Sequence, residues 1–181
     1  MKEYNRREFI KTVGFLYGSL LIVPACTPSS EKQNYQVFTE EEAACLIALC
    51  EQIIPADEYP GATDASVIRF IDKQSKLRFP NEQTLFKNGV ASLQAWCKAT
   101  YNRLFEDLDA PTQIAIMQSI EKDEIKSDLW SISQREFFNK LLERTMQGFY
   151  GSPRHGGNKD YISFKMLKLD YPSLIGRNRY L

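Results

Sequence analysis

Apolar residues recur at helical spacing between residues 43 and 149, and several of these runs begin at a helix-capping motif. In residues 39–42, a threonine hydroxyl and a glutamate three positions later can each bind a free amide of a first helical turn. Residues 133–136 have the same form, and Asp109 precedes Pro111, which suits a first turn. Because no stretch shows the sustained alternation of a strand, the sequence predicts an all-α fold, a single compact helical bundle.

Prolines and turn residues divide this bundle into its helices. The first helix is expected to stop at Pro55, and the third to follow Asn81. The second helix is expected to begin at Thr63 or Asp64, after a turn. The predicted apolar faces comprise, in chain order, Ala43, Leu46, Ile47, Leu49, Cys50, Ile53 and Ile54; Val67, Ile68, Ile71 and Leu77; Phe86, Val90, Leu93, Cys97, Tyr101 and Leu104; Ile114, Met117 and Ile120; Phe138, Leu141, Leu142, Thr145 and Phe149; and Ile162, Phe164 and Leu167.

Residues 1–25 have the organisation of an export signal, a charged segment followed by an apolar one. The apolar part, residues 13–25, is shorter than the roughly 20 residues that span a bilayer. The charged part resembles the twin-arginine signal, which directs the export of proteins that have already folded. The residues of this motif are Arg6, Arg7, Phe9 and Lys11. The alternative is a general secretory signal in which the arginine pair is accidental.

A cysteine follows directly after this apolar segment. A small residue before a cysteine, as in Ala25 and Cys26, resembles the lipid-attachment site of bacterial lipoproteins. Residues 26–37 are mostly polar and are predicted to form a flexible tether, which leaves residues 38–181 as the helical domain. The alternative is cleavage elsewhere, with Cys26 playing no part.

The composition excludes several functions. The chain has 23 basic and 23 acidic residues, so no field of one sign favours nucleic acid as a partner. With a single histidine and no Cys-x-x-Cys spacing, the usual zinc sites are absent. The glycine-rich fingerprint of flavin and nicotinamide folds is absent as well. We therefore assign no catalytic, cofactor-binding or metal-binding residue.

Three further cysteines lie within the predicted helices. Cys45 and Cys50 share one helix, where ideal geometry puts their Cα atoms about 8–9 Å apart. That separation exceeds the roughly 7 Å limit for a disulfide. The favoured interpretation is that both, with Cys97, are small buried core residues, although either could pair with Cys97 in an oxidising compartment.

Residues 147–158 form the most unusual stretch of the chain. Four glycines and a proline end a strong helix abruptly, and between them stand side chains able to stack and donate hydrogen bonds. Tyrosine and arginine are enriched at interface hot spots, while Asn158 can cap the helix that follows. The residues expected to bind a partner are Tyr150, Gly151, Pro153, Arg154, His155, Gly156, Gly157 and Asn158. The alternative is a structural turn that carries ordinary surface groups.

Three parts of the sequence resemble the gluconate 2-dehydrogenase subunit 3 family. They are residues 38–42 together with 53–57, residues 61–72, and the loop at residues 149–158. The strings Ile-Ile-Pro-Ala-Asp and Tyr-Gly-x-Pro-Arg-x-Gly-Gly-Asn, their order and their separation carry the resemblance, which frames nearly all of residues 38–172.

The resemblance implies a small, non-catalytic subunit of a membrane-bound dehydrogenase that oxidises gluconate, other sugars or alcohols. A large subunit would hold FAD and pass electrons to a cytochrome or another carrier, while this chain would bind no cofactor. The small subunit would escort the large one through the twin-arginine translocase and stabilise it on the periplasmic side of the envelope, anchored by its lipid. Two other hypotheses stay open: an independent envelope lipoprotein that binds a partner or ligand, and an enzyme that uses His155 with nearby acids.

Overall fold

The structure is a computed structural model that describes residues 35–169. The predicted signal at residues 1–25, the lipid-attachment residue Cys26 and most of the predicted tether lie outside these residues. The described part contains six α-helices and no strand, which confirms the predicted all-α bundle. The helices are α1 (Glu40–Ile53), α2 (Val67–Leu77), α3 (Glu82–Tyr101), α4 (Ala110–Glu121), α5 (Gln134–Tyr150) and α6 (Ile162–Met166), with 3₁₀ turns at Phe105–Asp107, Pro153–His155 and Lys159–Tyr161.

Helix α5 is the centre of the bundle and packs against all five other helices. Its buried side includes Phe137, Leu141, Thr145 and Phe149, each at most 1% exposed. Burying a Phe or Leu side chain contributes about 1.5–3 kcal/mol, so this side of α5 holds the bundle together. No helix among the described residues is both long enough and apolar enough to cross a membrane.

The predicted helix starts are largely confirmed. Thr39 accepts a hydrogen bond from the Glu42 amide at 3.2 Å, and its own amide donates to the Glu42 carboxylate at 2.9 Å. Asp109 accepts from the Thr112 amide at 3.1 Å and caps α4. Ser133 accepts from the first turn of α5, but the described hydrogen bonds include no return bond, so only half of the second capping box forms.

The predicted start of α2 is wrong by three or four residues. The Asp64 carboxylate accepts from the Gly61 amide at 2.9 Å and closes a turn instead of opening a helix. Ser66 then adopts a left-handed conformation with φ of 53°, and the helix begins at Val67. Because the turn occupies residues 62–66, α2 is shorter than its sequence pattern predicts.

Several residues of the predicted apolar faces are exposed. Leu77 ends α2, and Leu104 lies beyond the end of α3, so neither is covered by a neighbouring helix. Ile114 and Leu142 instead line a groove of about 240 Å³ with Phe138. The exposed members of the predicted faces are Leu77, Tyr101, Leu104, Ile114, Leu142 and Leu167, whereas Ile116 and Phe137 are buried although they were not predicted to be.

The folded body begins before residue 38. The amides of Gln36 and Val37 each donate to the Asp72 carboxylate at 2.8 Å, and the Phe38 amide donates to it at 3.3 Å. Asp72 is 4% exposed, and Phe38 packs edge-on against Phe86. The predicted tether at residues 26–37 is therefore too long at its C-terminal end.

The three described cysteines are buried free thiols, which confirms their interpretation as core residues. Burial raises the pKa of the Cys50 thiol to about 12. The Thr145 hydroxyl donates to the Cys50 sulfur at 3.2 Å and so connects α5 to α1. A thiol with so high a pKa is almost entirely protonated at neutral pH and therefore a poor nucleophile.

Candidate functional site

The loop after α5 is held against the bundle by its glycines. Gly156 has φ of 112°, a left-handed conformation that favours glycine, and a Cβ there would lie 2.9 Å from the Arg69 carbonyl oxygen. A Cβ on Gly157 would press on the carbonyl oxygen of Gly148. The loop backbone therefore packs directly on α2 and α5, which no larger residue would allow.

Asn158 fixes the loop from inside the protein. It is 0% exposed, and its amide nitrogen donates to the Gly151 carbonyl at 2.8 Å. Its side-chain oxygen accepts from the Ser163 amide at 2.9 Å. The predicted capping interaction thus forms in the first turn of α6, although the N-cap residue itself is Tyr161.

The predicted partner-binding residues therefore divide into two groups. Gly157 and Asn158 are buried, so they shape the loop and present no surface to a partner, which corrects that part of the prediction. Tyr150 is 40% exposed, and its ring packs edge-on against Phe149. Arg154 is exposed as well. Tyr150 and Arg154 are therefore the most accessible of the predicted partner-binding residues. The other members, Gly151, Pro153, His155 and Gly156, are partly exposed.

His155 is held among cations. Its Nε2 accepts from Arg154 Nε at 3.0 Å, and its carbonyl accepts from the Gln74 side chain at 3.2 Å. Lys73 Nζ donates to the Arg154 carbonyl at 2.9 Å. Partial burial lowers the pKa of the imidazole, and three positive charges lower it further: Arg154, Arg78 and Lys73. The lowered pKa favours the neutral form of the ring, with three cationic side chains nearby.

An open cleft of about 660 Å³ lies between α2, α5 and the loop, and we call it the α2–α5 cleft. Its apolar walls come from Phe70, Phe79, Met146 and Tyr150. Gln74 and Gln147 add amide groups, Arg78 adds a cationic guanidinium, and His155 adds an imidazole. Only the loop side of this cleft is marked by a sequence motif. Arg78 and Phe79 lie in the break between two helices, where no periodicity marks them.

Arg144 supports one wall of the cleft. It is 4% exposed and donates to the Glu82 carboxylate from Nε at 2.8 Å and from Nη2 at 2.6 Å. Its guanidinium carbon lies 3.7 Å from the centre of the Phe79 ring, and Nη1 donates to Gln147 at 2.7 Å. A guanidinium that stacks on a ring and donates two hydrogen bonds to one carboxylate fixes its partners in one arrangement. Arg144 thereby positions Phe79 and Gln147, although no sequence motif marks Arg144 or Glu82.

Among the described residues, neither a metal-ligand cluster nor a catalytic triad around His155 is present. Residues 35–169 contain no group of three or more histidine, cysteine, aspartate or glutamate side chains that could hold a metal ion. Within the same range, no carboxylate or hydroxyl side chain binds the His155 imidazole, so these residues form no Ser–His–acid arrangement.

A model of the family described as gluconate 2-dehydrogenase subunit 3 matches residues 40–170. The matched segment includes all six helices, the loop and the α2–α5 cleft. No curated protein and no solved structure matches the chain.

Proposed function

The chain belongs to the gluconate 2-dehydrogenase subunit 3 family, and on that basis we propose that it is the non-catalytic small subunit of an exported, flavin-dependent dehydrogenase. The family name implies association with other subunits of a dehydrogenase complex. The observation that carries the proposal is the extent of the match, which runs through every described helix. In the proposed complex, a large subunit holds FAD and oxidises gluconate, another sugar or an alcohol, and a cytochrome or other carrier takes the electrons.

The small subunit escorts the large one during export. The pair Arg6 and Arg7, followed by Phe9 and Lys11, supports the twin-arginine translocase as the route. Because that route carries folded proteins, one signal can serve two chains that assemble before they cross. A large subunit without a signal of its own then depends on this chain to leave the cytoplasm.

The complex resides on the periplasmic side of the envelope, anchored through lipid on Cys26. Each buried CH₂ contributes about 0.8 kcal/mol, so several acyl chains anchor a protein firmly where one chain does not. Replacing Cys26 with serine is expected to release the body from membranes.

The escort role is tested by deleting this chain in its native cells and following the large flavin-bearing subunit by cell fractionation. The subunit is expected to accumulate in the cytoplasm, and periplasmic dehydrogenase activity is expected to disappear. A precursor with Arg6→Lys and Arg7→Lys is expected to reproduce the defect, whereas Lys2→Arg, outside the motif, is the matched control. Normal delivery of the large subunit without this chain would refute the escort role.

A further inference from the structure

We propose that the α2–α5 cleft receives an acidic segment of the large subunit, with a carboxylate beside Arg78 and an apolar side chain against Phe79 and Met146. This inference rests on the proposed function, because it names the part of the partner that the small subunit recognises. It commits to a polypeptide segment in which an aspartate or glutamate stands next to an apolar residue.

The charges around the cleft favour an anion. None of the described residues that line it carries a carboxylate, whereas the positively charged Arg78 lies on its wall. Arg78 is exposed and forms no ion pair with any other residue between 35 and 169. Lys73 and Arg154 add positive charge beside the loop. A guanidinium in this position is suited to bind a carboxylate through two parallel hydrogen bonds.

The carboxylate of Glu143 is hydrogen-bonded to a residue that lines the cleft, but its charge is compensated by two cations. Glu143 accepts from Gln147, which lines the cleft, at 3.2 Å. It also forms ion pairs with Lys140 and Arg144, both at 2.8 Å. The negative charge of Glu143 is therefore compensated within the helix, and it leaves the positive potential near Arg78 in place.

The shape of the cleft favours a polypeptide over a membrane surface. The cleft is a concave, open space of about 660 Å³. Met146 and Tyr150 are 42% and 40% exposed, so apolar area is available inside a concave site. Binding to a lipid surface instead uses a projecting apolar face that enters the headgroup region.

Contacts within this chain hold one wall of the cleft in place. Arg144 holds Phe79 by stacking and Gln147 by a hydrogen bond, and α5 carries Met146 and Tyr150 on a continuous helix. A preorganised site loses less conformational entropy on binding, so modest contacts can give useful affinity.

The first test compares two charge reversals on α2 and its C-terminal cap, using the full chain and its complex in native membranes. Arg78→Glu is expected to lower the recovery of the flavin-bearing subunit at least about tenfold, because it sets like charges against each other. Lys76→Glu changes the same charge on an exposed position that does not line the cleft, and recovery is expected to stay unchanged. Equal recovery with Arg78→Glu and wild type overturns the cleft proposal and leaves the proposed function standing. A wild-type chain that recovers no flavin-bearing subunit overturns both.

The second test places a photo-crosslinking phenylalanine at position 146 of the full chain and identifies the adduct by mass spectrometry after illumination of the cells. The expected adduct is a peptide of the large subunit that contains aspartate or glutamate. An adduct with phospholipid, an adduct with a segment that lacks a carboxylate, or no adduct at all overturns the proposal. This readout stays informative if Arg78→Glu fails to fold.

Discussion

Arg144 of α5 binds the carboxylate of Glu82 at the start of α3 through two parallel hydrogen bonds, at 2.8 and 2.6 Å. The two residues are 62 positions apart in the sequence, so their pair joins α3 to α5, and it lies directly behind one wall of the α2–α5 cleft. The folding of the bundle and the shape of the candidate interface therefore depend on the same contact.

Replacing Arg144 with alanine is expected to lower the free energy of unfolding by about 2 kcal/mol, because Glu82 would lose both short hydrogen bonds and keep only the longer ion pair with Lys140, at 3.6 Å. Lys140→Ala is the control: its ion pairs are more exposed, and a change below about 1 kcal/mol is expected. Chemical denaturation of both variants measures the difference. Similar values for the two variants would show that the Arg144–Glu82 pair is not a main stabilising contact.

Replacing Asp72 with asparagine is expected to loosen the segment before α1. Two carboxylate oxygens accept three backbone amides there, and asparagine has only one side-chain oxygen to offer. Amide hydrogen exchange at residues 36–38 should become at least about tenfold faster. Asp109→Asn, at the start of α4, is the control and should leave exchange at residues 36–38 unchanged. Unchanged protection in Asp72→Asn would show that other contacts hold this segment.

The loop is expected to separate into a structural part and a binding part. Asn158→Ala leaves the partly buried Gly151 carbonyl and the buried Ser163 amide without this partner, at a cost of about 1–3 kcal/mol for a buried group. The melting temperature of this variant should fall by several degrees.

Tyr150→Ala combined with Arg154→Ala should leave the melting temperature nearly unchanged and lower recovery of the large subunit at least about thirtyfold. Unchanged recovery in the double variant would make the loop a folding element alone.

The stability of the folded chain is expected to fall as the pH is lowered below about 6.5, the ordinary pKa of histidine. Burial and nearby cations lower the pKa of His155 in the folded state, so the unfolded chain takes up the proton first. The contribution is complete above the unfolded pKa and is lost as the pH falls through it toward the folded value. Since His155 is the single histidine, His155→Asn should remove this slope between pH 7.5 and 5.5. Parallel stability curves for the two proteins would contradict the assignment.

The sequence was sufficient to predict most of the helices, because their starts depend on local chemistry. Thr39 and Asp109 bind amides within four residues of themselves, so their roles follow from spacing alone. The errors at Leu77 and Leu104 have a different origin. Helical periodicity identifies an apolar face, but only the packing of the other helices decides where along its length that face is covered.

The candidate site was predictable only in part. The glycines and Asn158 mark the loop, yet the sequence did not show that Asn158 is buried and therefore not available to a partner. The cleft depends on contacts between distant segments, such as Arg144 with Phe79, and on Arg78, which lies where a helix ends. Pairings of this kind leave no periodic pattern, so they require the three-dimensional structure.

The central claim, that this chain is the small subunit of a flavin-dependent dehydrogenase, is tested most directly by purifying the tagged full-length chain from native membranes. The absorbance spectrum and mass spectrometry of the purified material should reveal one large subunit that carries FAD, in equal amount with this chain. Recovery of this chain without a flavoprotein, from membranes that contain active dehydrogenase, would contradict the claim.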